Sequence, residues 1–225
     1  MSSWQIIGGI NMFNEKIEEL INKELDLIIS VRRDIHAHPE LGMNEHRTAK
    51  VVYDNLQNLG LKIETGVGKT GVVALLEGKN PGKTLLLRGD MDALPMDELT
   101  DLPFKSQNKG VMHACGHDMH TSILLGTARV LSQMKEYING NIKFVFQPAE
   151  ECSPTGGANY MIEDGVLTNP KVDGAVALHV WDLPLGKIGL KPGPMMAQSD
   201  RIFIKIKTTR NQCEFKNCVF LTSSK

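Results

Sequence analysis

Apolar residues recur at helical spacing from Phe13 onward, through Ile17, Leu20, Ile21, Leu25, Ile28 and Ile29. The pattern predicts an amphipathic helix from about Met12 to Ala37. His38-Pro39-Glu40-Leu41-Gly42 should break it, because a proline drives the residue before it out of the helical region. A second helix is expected over Glu45–Leu59, closed by Gly60, where a left-handed cap suits glycine. The rhythm then changes to that of strands. Leu61–Glu64 and Gly71–Leu76 read as strands, Asn80-Pro81-Gly82 as a turn, and Thr84–Arg88 as a wholly apolar, buried central strand. Downstream, Asp118–Met134 and Gly156–Glu163 are predicted helices, and Asn141–Gln147 and Val172–Val180 predicted strands. Lys187–Leu190 and Arg201–Lys207 are expected to be further strands. Strands interleaved with helices predict an α/β fold with helices on both faces of a sheet.

Such folds gather ligand sites beyond the carboxyl ends of their strands, and that is where the reactive side chains fall. Met112–His120 packs one thiol, three imidazoles and a carboxylate into a single short stretch. In an extended segment Cys115 and His117 would project to one side, with Gly116 letting the backbone turn closely around an ion. A thiolate and an imidazole so placed grip a borderline cation such as Zn²⁺. The bland alternative is a buried cysteine beside a core histidine, which the flanking His113, Asp118 and His120 argue against. Glu150-Glu151 comes directly after a predicted strand. Such a pair is either a solvated surface feature or one metal ligand beside one general base, and spacing leaves open which acid is which. His179 ends an apolar run, as a packed core residue or as a ligand. Asp90 and Asp92 are turn formers or site residues, one of them able to orient a histidine ligand. Cys213 and Cys218 have no partner ligands nearby, and Cys152 is incidental.

The totals narrow the classes. A 225-residue chain with net charge −1 gives no electrostatic reason to bind nucleic acid or an anionic membrane. No apolar run approaches the roughly 20 residues that span a bilayer. The amino terminus lacks the order of a signal peptide. Four cysteines without framework spacing fit a reducing, cytoplasmic setting. Residues 1–11 differ in character from the rest of the chain, and Gly8-Gly9-Ile10-Asn11 could be a translated ribosome-binding sequence ahead of Met12. Met12 is therefore the expected natural start, with residues 1–11 a non-native extension.

Five ordered motifs then resemble one family, the amidohydrolase branch of the M20 metallopeptidases, which includes hippurate hydrolases, aminoacylases and indole-acetyl-amino-acid hydrolases. They are Arg32–Gly42, Arg88–Pro95, Met112–His120, Gln147–Glu151 and Leu178–Val180. The resemblance covers about residues 14–207. It implies a three-layer αβα, zinc-exopeptidase-like catalytic domain acting on N-acyl amino acids or similar small amides. It implies two divalent ions, Zn²⁺ or Mn²⁺ with Co²⁺ or Ni²⁺ as alternatives. Cys115, His117, Glu151 and His179 would be ligands, Glu150 the general base and acid, and Asp92 the aspartate that supports the metal centre. Family chains are far longer: they carry an inserted lid domain that dimerises, and a late ligand histidine. The resemblance therefore implies an incomplete catalytic domain over residues 12–195 and only the start of a lid over 196–225, aberrant from about 208. Such a chain is expected to lack the family homodimer and to show little or no hydrolase activity alone. The competing expectations are a non-catalytic metal-binding fragment or pseudogene product, and a thiol hydrolase with Cys115 as nucleophile.

Overall fold

The structure is a computed structural model, in which residues 3–152, 156–196, 198–207 and 212–222 are described, with side chains described for 13–152 and 156–196. The chain divides into two compact units, Met1–Val180 and Trp181–Lys225.

The first unit is built on five strands: β1 (Lys62–Val67), β2 (Gly71–Glu77), β3 (Asn80–Asp90), β4 (Asn139–Gln147) and β5 (Gly174–Ala177). Their order is β1-β2-β4-β3-β5. β1, β2 and β4 pair antiparallel in succession, whereas β3 runs parallel to both β4 and β5. Period-two alternation sorts the side chains by face. Val72, Ala74, Leu76, Ile142, Phe144 and Phe146 pack with helices α1 (Ser3–Ala37), α2 (His46–Leu56) and α3 (His117–Ser132). Val73, Leu86 and Val145 turn the other way, onto Met161 of α4 (Gly157–Glu163). Helices therefore cover both faces, and the mixed α/β sheet with its helical layers is the architecture expected. On the α4 face Lys143 is buried, and its ammonium donates to the carbonyls of Val166, Asn169 and Pro170 at 2.6, 2.9 and 3.1 Å.

Several expectations are corrected. The first helix does not begin near Met12; helical backbone continues upstream to Ser3, through Gly8 and Gly9. Asn80–Gly82 is the irregular start of β3 rather than a turn. A register shift between Asn80 and Thr84 accommodates Pro81 where no ladder N–H is needed. Thr84–Arg88 is not central: β4 takes the middle, and β3 lies against the edge strand β5. Only Leu86 of its three leucines is fully buried, and Leu85 is 40% exposed. Every residue of β5 is exposed.

The second unit is described by itself. Lys187–Leu190 forms no strand; it lies in irregular, exposed backbone. β6 (Gln198–Lys207) pairs antiparallel with β7 (Gln212–Thr222). The side chains of Cys213 and Cys218 lie outside the described residues, as does all description of residues 208–211.

Candidate metal centre

Three parallel strands end on one side of the sheet. Register pairs Asp90, the last residue of β3, with Gln147, the last of β4, and Arg88 with Ala177, the last of β5. The short segments beyond these ends build the site: Met91-Asp92 after β3, Pro148–Glu151 after β4, and Leu178-His179 after β5. The amino end of α3 completes it.

Cys115 and His117 are brought together by a different device from the one expected. They do not lie in an extended segment: Cys115 is in a turn, Gly116 is the left-handed cap at φ 81°, and His117 opens α3. A β-carbon on Gly116 would also run into the Val180 side chain. Glycine is thus required twice, for the backbone angle and for the close approach. Asp118 does not cap the helix. Its buried carboxylate accepts from His36 Nδ1 at 2.8 Å and forms an ion pair with Arg32, whose Nε stands 2.7 Å away.

His117 is the hub. It is 1% exposed, and its Nδ1 bonds Asp92 Oδ1 at 3.1 Å. The other oxygen of Asp92 accepts the backbone N–H of Glu151 at 2.9 Å. One buried carboxylate thereby fixes both a ring and a loop. His117 Nε2 is buried with no hydrogen-bond partner; it lies 3.6 Å from Asp90 Oδ2 and 4.0 Å from Glu151 Oε1. Cys115 Sγ stands 3.4 Å from His179 Nε2, while His179 Nδ1 bonds the Val180 carbonyl at 2.6 Å. Donating Nδ1–H to that carbonyl leaves Nε2 with its lone pair toward the thiol.

Among the described residues, three groups of ligand atoms lie within 4.8 Å of one another, and all include His117: Cys115–His117–His179, His117–Glu150–Glu151 and Asp90–His117–His120. The third is held in part from within, although Asp90 Oδ2 makes an ion pair without a hydrogen bond and His117 Nε2 has no partner. His120 Nδ1 bonds Asp90 Oδ1 at 2.6 Å, its Nε2 accepts the Val180 N–H at 2.9 Å, and Arg88 holds Asp90 Oδ2 at 2.7 Å. The first two carry a thiol, imidazole nitrogens and carboxylates, a donor set suited to borderline divalent cations.

The electrostatics agree with a cation site. Burial opposes charge on His117, yet the Asp92 hydrogen bond, the neighbouring Cys115 sulfur and the charge of Asp90 carry its pKa up to about 11. The surroundings thus demand positive charge at that ring, which a divalent ion would supply. Burial also works against the Asp90 carboxylate, but the His120 hydrogen bond and the Arg88 guanidinium hold its pKa down at about 2. Glu150 is raised, first by desolvation and then by the neighbouring Glu151 charge. His113, buried with no partner at either ring nitrogen, is pulled down to about 4 by burial.

All six predicted site residues, Asp92, Cys115, His117, Glu150, Glu151 and His179, fall in this one cluster. Asp90 and His120 join it as buried supports. Sequence reasoning missed the supporting role of His120; its spacing from His117 on α3 was the available signal. Cys152 forms no disulfide. No helix among the described residues is long and apolar enough to cross a membrane.

The Peptidase family M20/M25/M40 model matches residues 86–220. The chain is 47% identical over 196 residues to the N-acyl-L-amino acid amidohydrolase of Geobacillus stearothermophilus, covering 87% of this chain and 52% of that protein. It is 45% identical over 193 residues to the hippurate hydrolase of Campylobacter jejuni, covering 83% and 49%. Among solved structures, an aminohydrolase from methicillin-resistant Staphylococcus aureus superposes with a TM-score of 0.78 at 42% identity, covering 85% of this chain and 48% of that one. The YXEP protein of Bacillus subtilis, described as a dinuclear metal binding peptidase from the M20 family, gives 0.73 at 41% identity, covering 82% and 50%. The chain spans about half the length of the curated relatives it matches.

Proposed function

The chain belongs to peptidase family M20/M25/M40, and on that footing we propose that its site holds two divalent cations and hydrolyses the amide bond of N-acyl amino acids or related small amides. The observation that carries the reading is His117 Nε2, a buried nitrogen without a hydrogen-bond partner at the vertex shared by the Cys115–His179 and Glu150–Glu151 groups. Cys115, His117, Glu151 and His179 are the proposed ligands, with Zn²⁺ or Mn²⁺ the proposed ions. The names of the relatives, an N-acyl-L-amino acid amidohydrolase and a hippurate hydrolase, support the substrate class.

When bound, divalent ions would supply Lewis acidity toward water and the amide carbonyl. The remaining work belongs to the chain's own groups. Asp92 accepts from Nδ1–H of His117 and keeps the Nε2 lone pair on the site. Glu150 takes a proton from the attacking water as the carbon–oxygen bond forms. It then returns that proton to the amide nitrogen as the carbon–nitrogen bond breaks, leaving a carboxylic acid and an amine. Its raised pKa suits a group that must both take and return a proton. Residues 12–195 are the proposed amino-terminal part of the catalytic domain and 196–225 the proposed start of a lid, in a cytoplasmic protein.

The half-length match favours a second reading in which this chain binds metal without turnover, and the Cys115–His179 distance of 3.4 Å raises a third, thiol hydrolysis. One experiment separates them: release of amine from N-acetyl and N-benzoyl amino acids by the metal-loaded chain, repeated with chelator, with iodoacetamide and in Glu150→Gln. Loss with chelator, return with metal and loss in Glu150→Gln support the amidohydrolase. No release by a chain that still binds metal supports the second reading. Activity that survives chelation but not alkylation supports the third.

A further inference from the structure

Glu45 belongs neither to the proposed ligand set nor to the proton transfers, yet it is among the most deeply buried acids in the molecule, at 0% exposure. It stands at the amino-terminal cap of α2, where an acidic side chain would ordinarily serve its own helix. No such cap hydrogen bond is made. Both carboxylate oxygens are committed elsewhere. Oε2 accepts from Thr70 Oγ1 at 2.5 Å, and Oε1 accepts the backbone N–H of Ala149 at 2.7 Å.

Ala149 is the residue on which the Glu150-Glu151 turn hinges. It is fully buried, with φ at 50°, a left-handed angle that a residue with a β-carbon adopts only when its surroundings hold it there. Three holds are visible. Its carbonyl accepts from Gly157 N–H at 3.1 Å, its own N–H is taken by Glu45, and two residues on Asp92 takes the Glu151 N–H at 2.9 Å. Gly42 packs so closely on Ala149 and the Cys152 sulfur that a β-carbon there would collide with both. The turn that carries both glutamates is therefore clamped by two buried carboxylates, one from the site itself and one from the start of α2.

We infer that Glu45 is a positioning residue for the metal centre: its carboxylate holds the Ala149 N–H and thereby fixes the turn that aims Glu150 and Glu151 at His117. The inference rests on the reading of Glu151 as a metal ligand. A purely structural role would lower stability alike in every background, whereas a positioning role acts on metal affinity through Glu151.

The test is Co²⁺ titration of the metal-free 225-residue chain by calorimetry, with thermal unfolding followed in parallel. Glu45→Met keeps the bulk and removes the acceptor; it is expected to weaken Co²⁺ binding about tenfold, the scale of lost outer hydrogen bonds at metal sites. Glu45→Gln restores most of that, because the amide oxygen accepts from Ala149 while its NH₂ faces Thr70. In a Glu151→Gln background Glu45→Met adds nothing further. If Glu45→Met unfolds the chain, Glu45→Asp, which keeps the charge and shortens its reach, carries the same expectation. Wild-type affinity in Glu45→Met beside weakened binding in Glu151→Gln overturns the role of Glu45, as does an equal loss in both backgrounds. Undiminished binding in Glu151→Gln overturns the ligand reading itself and the inference with it.

Discussion

The two walls of the candidate metal centre are built on opposite plans. On one, His117, Asp92, Asp90 and His120 are at most 2% exposed and bonded to one another. On the other, Cys115 and Glu151 are half-buried while Glu150 and His179 are exposed. The buried wall sits on the ends of β3 and α3, beneath the larger core, so its geometry exists before any ion arrives. The open wall sits on the turn before α3 and on the segments beyond β4 and β5. Rigidity on one side and access on the other is the arrangement a binding site needs, since ligands held by packing cost little to order when the ion binds.

The contrast can be broken from the buried side first. His117→Ala, which removes the vertex common to both ligand groups, should lower Co²⁺ affinity at least about 100-fold in calorimetric titration. Asp92→Asn should come next with a loss of between about 10- and 100-fold, because one amide oxygen cannot accept from both the His117 ring and the Glu151 N–H. Asp90→Asn tests the same wall through stability. The folded-state pKa of Asp90 is depressed, from 3.8 to about 2. Its stabilisation is therefore present above the unfolded value and disappears as pH falls from about 4 toward 2. In urea unfolding of the metal-free chain, the variant should be less stable by about 1.5 kcal/mol at pH 7, and the difference should vanish near pH 2. His179→Ala, on the open wall, should cost no more than about tenfold in Co²⁺ affinity and leave metal-free stability unchanged. An equal or larger loss than in His117→Ala would erase the contrast.

Sequence read the open wall better than the buried one. Cys115, Glu150, Glu151 and His179 were legible because their chemistry stands in short motifs at the ends of apolar runs, and parallel strand ends converge on one side of a sheet. The supporting roles of Glu45 and His120 were not, because they depend on contacts between distant segments. Glu45 meets Ala149 across 104 residues and His120 meets Val180 across 60. Both lie in stretches where local spacing predicts only a helix. The same cause explains the misplaced strands. Leu85-Leu86-Leu87 is apolar enough for a central position, but burial there depends on which strand pairs beside it, and β5 is a short exposed edge. Lys187–Leu190 has apolar residues but no partner strand among the described residues. Cys115 and His117 come together through a left-handed Gly116 at a helix start, in place of the extended segment expected.

The central claim is that Cys115 and His117, separated by that one glycine, form the core of a divalent metal site. The most direct measurement is the near-ultraviolet spectrum of the metal-free 225-residue chain during Co²⁺ titration, compared with that of Cys115→Ser. The account predicts an intense thiolate-to-cobalt charge-transfer band that grows to saturation, is abolished by chelator and is absent from Cys115→Ser. A titration that yields no such band, or one that is unchanged in Cys115→Ser, would contradict it.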